Sequence, residues 1–418
     1  MRKIFYSLSL PFLFAFSCNE KTEPTATNDV IIGWNNMAVT VAEQHDHFLS
    51  FIGVRALTIT HVAMHDALNA VTMKFIPYAF NEKKPGANVV AACSQAAFTV
   101  LSSIYPKRVD TLKTELQKWL KDIPESEQKK AGIELGQRSA EAILQLRKGD
   151  GHEVNLPYTP RNVVGAYQFT HGFNWVINPD LKINKPFVLQ SVDQFRVAPP
   201  PALTSEEYAN DFNEVKAYGV AGSKARTKDQ TNYGHWWAEF GELGWNRIGR
   251  LTAAQRKLSI HETARLFALV NMTLYDYYLA TCDSKYHYET WRPVTAIHQA
   301  DKDGNAATAA DTSWQPEMIT APLPEYPSGH SGVGTLGATI LGAVYGTKDV
   351  SFEMESVTAL PEGRIRSYQN LDSAANDCAR SRIMNGYHFR FSTEAGKEQG
   401  RKVAQYIVSA VMGPVAEK

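Results

Sequence analysis

An all-α fold is predicted for this chain on three grounds. Apolar residues recur at helical spacing through most of its length. No convincing series of alternating strands appears. No internal repeat is visible that would point to a solenoid or propeller instead.

The N-terminus reads as a targeting segment. Arg2 and Lys3 precede an apolar run from Ile4 to Ser17, too short to span a bilayer as a helix. The run ends Ala15-Phe16-Ser17-Cys18, which resembles a bacterial lipoprotein signal. Cys18 would then be lipidated and become the mature N-terminus, in place of an ordinary cleaved signal with an incidental cysteine. Residues 1–18 are thus expected to be a signal, and residues 19–30, polar and without hydrophobic anchors, a flexible tether. The remainder, 31–416, is expected to be one all-α domain. The protein is expected to be exported and lipid-anchored to a bacterial membrane, on the periplasmic side or at the cell surface.

Within that domain, Leu57, Val62, Ala63 and Leu68 mark an amphipathic helix around residues 53–72. Apolar repeats continue through 88–104, 109–121 and 127–147. A long helix is expected near 253–280, from Leu258, Leu266, Leu269, Val270 and Leu274. Val333, Leu336, Ile340, Leu341 and Val344 place another at 331–345, and Val403, Ile407 and Val411 mark the last. The stretch 149–204 is rich in Pro, Asn and Gly, with Pro199-Pro200-Pro201 near its end. Its aromatic residues argue for a long ordered connection between two helical groups.

Composition excludes little but directs attention inward. The chain is 44% hydrophobic and 21% charged, with a formal net charge of zero. Nothing in that balance points to nucleic acid or to an acidic membrane surface. Cys93, Cys282 and Cys378 show no CxxC spacing, so neither a disulfide framework nor a zinc site is read from them.

The positive charge that carries information is local. Lys285-x6-Arg292-Pro293 is followed by Pro327-Ser328-Gly329-His330 and then by Ser381-Arg382-x3-Gly386-x-His388. A tetrahedral oxyanion needs donors to several oxygens. Arginine supplies a planar fork and lysine a point charge. The seven-residue spacing of Lys285 and Arg292 allows both on one helix face. Ser328-Gly329-His330 sits just before a helix, where free backbone N–H groups point outward. Gly329 lets the backbone approach the anion. Of the two imidazoles, one can bond to the central atom and the other can act as acid or base.

The ordered set resembles the family that unites vanadium-dependent haloperoxidases with type-2 phosphatidic-acid phosphatases and bacterial acid phosphatases. Its signature is K-x6-RP, PSGH and SR-x5-H. Trp34-Asn35, Met64-His65-Asp66-Ala67 within a helix from Arg55 to Val71, Gln194-Phe195, Trp236-Trp237 and Tyr326 to Ser331 resemble bacterial haloperoxidase-type sequences more widely. The resemblance implies an all-α fold of two four-helix-bundle-like groups with long ordered loops, and catalytic motifs within 282–392. It implies vanadate as cofactor, with phosphate suited to the same site. Lys285, Arg292, Ser328, Gly329 and Arg382 would hydrogen-bond the oxyanion. His388 would bond vanadium through a ring nitrogen. His330 would be the acid–base residue, and Lys285 would polarise bound hydrogen peroxide for attack by halide. Hydrogen peroxide, a halide and a small organic acceptor are the implied partners, and a homodimer is compatible with the resemblance.

Two departures stand out. Many family members carry an Asp four residues after the last His, where this chain has Ser392. Asp377 or Glu394 is the candidate substitute, and the missing carboxylate favours vanadate binding over phosphoryl transfer. Haloperoxidases often place aromatics at the positions of Cys282 and Leu323, which are therefore the candidate halide pocket. A smaller, softer pocket points to iodide or bromide rather than chloride.

Other motifs weigh less. His61-x3-His65 has zinc spacing but Val62 where a metalloprotease base would stand. Asp301-Lys302-Asp303-Gly304-Asn305 has its glycine out of phase with a calcium loop and reads as a polar turn. Asp276 is equally a partner of an active-site cation or a surface charge. The expected function is a vanadate-dependent haloperoxidase. An acid phosphatase working through a phosphohistidine and a non-catalytic oxyanion-binding lipoprotein are the alternatives.

Overall fold

The computed structural model describes residues 27–48 and 51–415. The signal, Cys18 and most of the expected tether lie outside the described residues. The first helix begins at Asp29, two residues inside the stretch assigned to the tether.

The fold is all-α, as the periodicity predicts. One group comprises α1 (Asp29–Asp46), α2 (Ile52–Val71), α3 (Val89–Ile104), α4 (Val109–Leu120) and α5 (Glu127–Leu146). Here α3 packs against α5 and α2, and α2 packs against a long helix, α9 (Ile260–Tyr288), which is numbered after α6 (Glu206–Tyr218), α7 (Lys228–Trp236) and α8 (Gly241–Gln255). The second group contains the short α10 (Pro293–His298), α11 (Gly329–Tyr345), α12 (Leu371–Met384) and α13 (Arg390–Ala410). In it α11 packs against α13 and α12, and both α11 and α13 also contact α9. So α9 is the spine shared by both groups.

Burial follows from pattern. Every residue of α2 from Gly53 to Ala70 is buried. A helix enclosed on all sides is a core element, not a surface one. The approach of α13 to α11 is close enough that a Cβ on Gly400 would lie 2.4 Å from the Gly332 carbonyl oxygen. Only glycine fits there.

The sequence reading needs two corrections here. The helix expected over 253–280 is two helices. Lys257 adopts a left-handed φ of 52°, and Ser259 with Glu262 forms a reciprocal capping box that starts α9 afresh. From that start α9 runs on to Tyr288 and so carries Lys285 on its last turn. The second correction is a two-stranded antiparallel ribbon, β1 (Phe352–Glu355) with β2 (Ile365–Tyr368), in which Phe352 faces Tyr368. Eight residues of ribbon are too few to register in a hydropathy pattern.

The connection 149–204 is ordered without α-helix, as expected. Its inward residues include Tyr167, Leu181, Phe187 and Leu189. Asp276 holds it in place. This fully buried carboxylate on α9 accepts the backbone N–H groups of Phe187 (2.6 Å), Val188 (2.7 Å) and Leu189 (2.9 Å). It is neither a partner of an active-site cation nor a surface charge. Asp66 on α2 does the same for Tyr78, Ala79 and Phe80. Burial pushes the Asp276 carboxyl up to about 6, against the opposing pull of the three N–H groups.

Asp276→Asn keeps the size but turns an amide N–H₂ toward backbone donors. It should cost about 2–3 kcal/mol. Thermal melts should show the loss, and limited proteolysis should open the chain within 149–204 first. An unchanged melt with an uncut connection would refute this role.

Candidate functional site

The three basic motifs converge at one end of α9. Lys285, Arg292, Gly329, His330, Arg382 and His388 line one cavity of about 170 Å³. Cys282 and Leu323 line it too. Ser328 does not. It lies fully buried beside the cavity, where Ser331 Oγ donates to its Oγ at 2.8 Å and Tyr277 donates to its carbonyl at 3.2 Å.

Each piece is delivered by a different local device. Lys285 lies in the last turn of α9, where cations suit the helix dipole. Glu289 then turns the chain with a left-handed φ of 50°. Arg292 is consequently not on the same helix face as Lys285. It is the residue before Pro293, which starts α10. Ser328 precedes α11, whose first-turn N–H groups at Gly329 and His330 have no intrahelical acceptor. Arg382 is near the end of α12, and Gly386 follows with a φ of 77°. A Cβ at Gly386 would strike the Gly219 carbonyl oxygen at 2.6 Å. That tight turn returns His388 to the cavity, just ahead of α13.

The cations are short of counter-charge. Lys285 Nζ donates to the carbonyls of Pro324 (2.9 Å) and Glu325 (2.8 Å). Arg292 donates to the carbonyls of Leu323 (2.8 Å) and Tyr387 (3.1 Å), and to His388 Nε2 (3.2 Å). Arg382 donates to the Trp237 carbonyl (3.0 Å), and its buried Nε has no hydrogen-bond partner among the described residues. Glu325 is the carboxylate whose charge bears on Lys285 and Arg292. Burial pushes Lys285 down, and Arg292 adds to that push. Burial likewise lowers both arginines.

Glu325 is the residue that sequence reasoning missed. Its Oε1 lies 2.8 Å from His388 Nδ1 and accepts the Phe389 N–H at 3.1 Å. It therefore supplies the carboxylate expected after His388, from the loop before α11 instead. Ser392 stands 3.4 Å from the same ring nitrogen, beside the pair. The suggested substitutes lie elsewhere: Asp377 pairs with Arg366 and Tyr368, and Glu394 pairs with Lys397. The signal was a lone carboxylate in the run Thr320-Ala-Pro-Leu-Pro-Glu-Tyr-Pro327. An acid among prolines and apolar residues is a candidate for paired burial.

These contacts fix both imidazoles. A carboxylate on Nδ1 places the His388 proton there and leaves Nε2 with its lone pair, facing Arg292. His330 Nε2 donates to the Glu239 carbonyl at 3.0 Å, which leaves Nδ1 as its bare nitrogen. Burial, then the Arg382 charge, depress His330 to about 3. His388 is held well below the usual imidazole range by burial and then by Arg292, Lys285 and Arg382.

The pocket near Cys282 and Leu323 is not bare of aromatics. Phe48, Phe51, Phe240 and Tyr278 line the same cavity from other elements. None was singled out from sequence, because none is near the signature motifs in the chain. The two histidines spaced one turn apart on α2 serve the core. His61 Nε2 meets Asn35 Nδ2 at 2.9 Å and stacks on Phe267, while His65 Nδ1 meets Asp66. Asp303 closes a polar turn by accepting from Asn305 N and Thr308 Oγ1.

The cavity fits an oxyanion. Three buried cations face it, one with an unpartnered N–H. A Cβ built at Gly329 would find only Thr281 Cγ2, at 3.9 Å, so the space above this glycine belongs to the cavity. Comparisons agree with this reading of the residues. Residues 265–417 match the family model of the VCPO second helical-bundle domain. The chain is 26% identical to vanadium chloroperoxidase of Curvularia inaequalis, over 80% of this chain and 65% of that protein, just under two thirds of the relative's length. A crystal structure described as the first bacterial vanadium-dependent iodoperoxidase superposes with a TM-score of 0.80 at 23% identity, covering 95% of this chain and 100% of that one. A holo-type bacterial vanadium-dependent chloroperoxidase superposes at 0.71 with 16% identity, covering 87% and 92%. In sequence and in fold the chain thus resembles the vanadium-dependent haloperoxidases.

Removing the carboxylate should loosen the oxyanion site without unfolding it. Glu325→Gln should weaken vanadate binding about 10–100-fold, the usual cost of losing a partner that orients a metal-binding His. Glu325→Asp should recover part of that loss. Direct vanadate titration checks both, and equal affinity in all three proteins would refute the orienting role.

Proposed function

We propose that this chain is an exported vanadate-dependent haloperoxidase. It would use hydrogen peroxide to oxidise iodide or bromide in preference to chloride, giving a hypohalous-acid equivalent that halogenates small organic acceptors. The observation that carries the reading is the set of three buried cations whose hydrogen bonds go to neutral acceptors. Charges withdrawn from water without partners cost several kcal/mol each. An anion in the cavity removes that cost, and a vanadate anion has the charge and the tetrahedral oxygens to do so.

Bound vanadate would act as a Lewis acid that activates peroxide toward halide without a redox change of the protein. The chain's own residues do the rest. Lys285, Arg292 and Arg382 neutralise the oxyanion, and the N–H groups at the start of α11 add donors. Ser328 accepts from Ser331 and keeps its own O–H free, but it reaches the same oxyanion only if its side chain turns into the cavity. His388 offers Nε2 to the vanadium, its tautomer held by Glu325. His330, neutral with Nδ1 free, accepts the proton that peroxide gives up on binding. Phe48, Phe51, Phe240, Leu323 and Cys282 make the approach apolar. Such a wall favours a large, weakly hydrated halide, since less hydration is lost on entry. Export, lipidation at Cys18 and assembly as a homodimer are part of the same proposal. Among the described residues no helix is long and apolar enough to cross a membrane.

Acid phosphatase activity is the second reading, and a specific contact is compatible with it. The Glu325–His388 pair is the arrangement a histidine nucleophile requires. The argument drawn from the missing Asp after His388 therefore falls. A non-catalytic oxyanion carrier is the third reading, and two imidazoles with fixed tautomers exceed what binding alone needs.

Halide oxidation by the purified apo-protein, with and without orthovanadate, separates these readings. Vanadate-dependent oxidation of iodide and bromide, with chloride slowest and all suppressed by excess phosphate, is expected. His388→Ala should lose both vanadate and activity. A phosphohistidine trapped by acid quench, with no halide oxidised at full vanadate loading, would decide for the phosphatase. Tight phosphate binding with neither activity would decide for the carrier.

A further inference from the structure

One buried ionisable group in the cavity has no part in the chemistry described so far. Glu242, in the first turn of α8, is 3% exposed. It is the one carboxyl among the described residues lining the cavity that also contains Lys285, His330 and His388. Its Oε2 accepts the Tyr278 hydroxyl at 2.7 Å. Around it stand Phe48, Phe51, Val54 and Phe240, and none of these can ionise. Tyr278 is itself packed edge-on against Phe51 at 5.5 Å.

Apolar burial of a carboxyl whose partners are one hydroxyl and its own backbone N–H is costly if the group is charged. The protein had cheaper options at this position, since a leucine would fill the same wall. A carboxyl kept here is therefore suited to a proton-transfer task.

Halide oxidation by peroxide has such a task. The O–O bond breaks, one oxygen joins the halide, the halide loses two electrons, and the other oxygen leaves as hydroxide. One further proton turns that hydroxide into water. His330 is poorly placed to supply it. Its Nε2 proton is committed to the Glu239 carbonyl, and the one proton that its Nδ1 takes from peroxide is used to turn the hypohalite oxygen into hypohalous acid. An acid distinct from that base is required.

We propose that Glu242, held by Tyr278, is the residue that delivers the proton consumed when a halide is oxidised in this cavity, an inference that rests on the haloperoxidase reading. The carboxyl O–H bond breaks, the proton passes to the leaving hydroxide directly or through cavity water, and the carboxylate is reprotonated from solvent. The electrostatic setting agrees with this role. Burial pushes Glu242 up from the ordinary carboxyl range, against the Tyr278 hydrogen bond. The groups facing the same cavity are Tyr278, Cys282 and Lys285 on α9, Arg292, His330 on α11, Arg382 on α12, and Tyr387 and His388 in the turn after it. The wall from α1 and α2 contributes no charge. His330 is pushed down and Glu242 up, and two titratable groups shifted apart in this way suit the roles of base and acid.

The test uses vanadate-loaded enzyme. Glu242→Gln keeps the shape and can still accept from Tyr278. Its vanadate affinity should stay within about 2-fold of wild type, while kcat falls about 100-fold, at the low end for a positioned general acid. Wild-type activity should decline as pH rises through the Glu242 pKa, because the acid form is lost. Glu242→Gln should lack that limb. Tyr278→Phe removes the bond that favours the carboxylate, so its limb should move to higher pH. Infrared difference spectra supply a readout without turnover: a protonated-carboxyl stretch that wild type loses as pH rises should be missing from Glu242→Gln. A missing band overturns the proposal, as does a Glu242→Gln pH profile superimposable on an active wild type. A wild type that oxidises no halide sinks the haloperoxidase reading itself, and this inference with it.

Discussion

Three cations buried at the end of one helix, with too little negative charge beside them, are the constraint on which the rest of the structure turns. Lys285, Arg292 and Arg382 are each 5% exposed or less. Placing them there costs several kcal/mol apiece after relaxation. Two things make the arrangement tolerable. Backbone carbonyls from the loops before α11 and after α7 and α12 accept their protons. The helical scaffold around α9 contributes enough buried apolar surface to absorb the remaining cost, at about 25 cal/mol per Å². The site is therefore a local excess of positive charge in a chain with none overall. An oxyanion is its natural complement.

Geometry then decides what such an anion can do. Cations alone make a receptor. What makes a reactive centre is that each imidazole has one nitrogen committed and one free. Glu325 holds Nδ1 of His388, and the Glu239 carbonyl holds Nε2 of His330. The two histidines thus present opposite ring nitrogens as lone pairs. Fixing a tautomer by a hydrogen bond at the far nitrogen costs the site no flexibility during reaction.

Much of this was legible in the chain, and the reasons are physical. Helices announce themselves through the spacing of their apolar residues, so α2 to α5, α11 and the end of α13 fall close to their expected ranges, although α2 is buried on every face and not amphipathic as expected. Motifs bound to local turns were legible too, because Pro293 starts α10 and Gly386 turns with a positive φ, while Gly329 leaves room in the cavity. What sequence could not reveal was pairing across distance. Glu325 and His388 are far apart along the chain, and no spacing rule links them. Phe48 and Phe51 from the turn between α1 and α2, Glu242 from α8 and Tyr278 from α9 reach the cavity by tertiary packing alone. The break between α8 and α9 was masked for another reason: it is only four residues long, marked by the left-handed Lys257 and the Ser259–Glu262 capping box. Asp276 illustrates the same limit, since nothing local tells a surface carboxylate from one that gathers three N–H groups of a distant loop.

The remaining choice is between two chemistries that share one receptor. Phosphoryl transfer and peroxide activation both need an anion cradle, a histidine on the central atom and a second acid–base group. The Glu325–His388 pair serves either. The surroundings of the cradle separate them. A phosphoester carries a leaving group that must be protonated at its apical oxygen, and a His330 whose cavity-facing nitrogen is a lone pair is a poor donor for that step. Peroxide binding asks the reverse of the same histidine, namely that it take a proton. An apolar wall of Phe48, Phe51, Phe240 and Leu323 also suits a soft halide better than a hydrated phosphoester. The tautomer of His330 and the walls of the cavity therefore weigh toward peroxide and halide, even though the carboxylate on His388 does not discriminate.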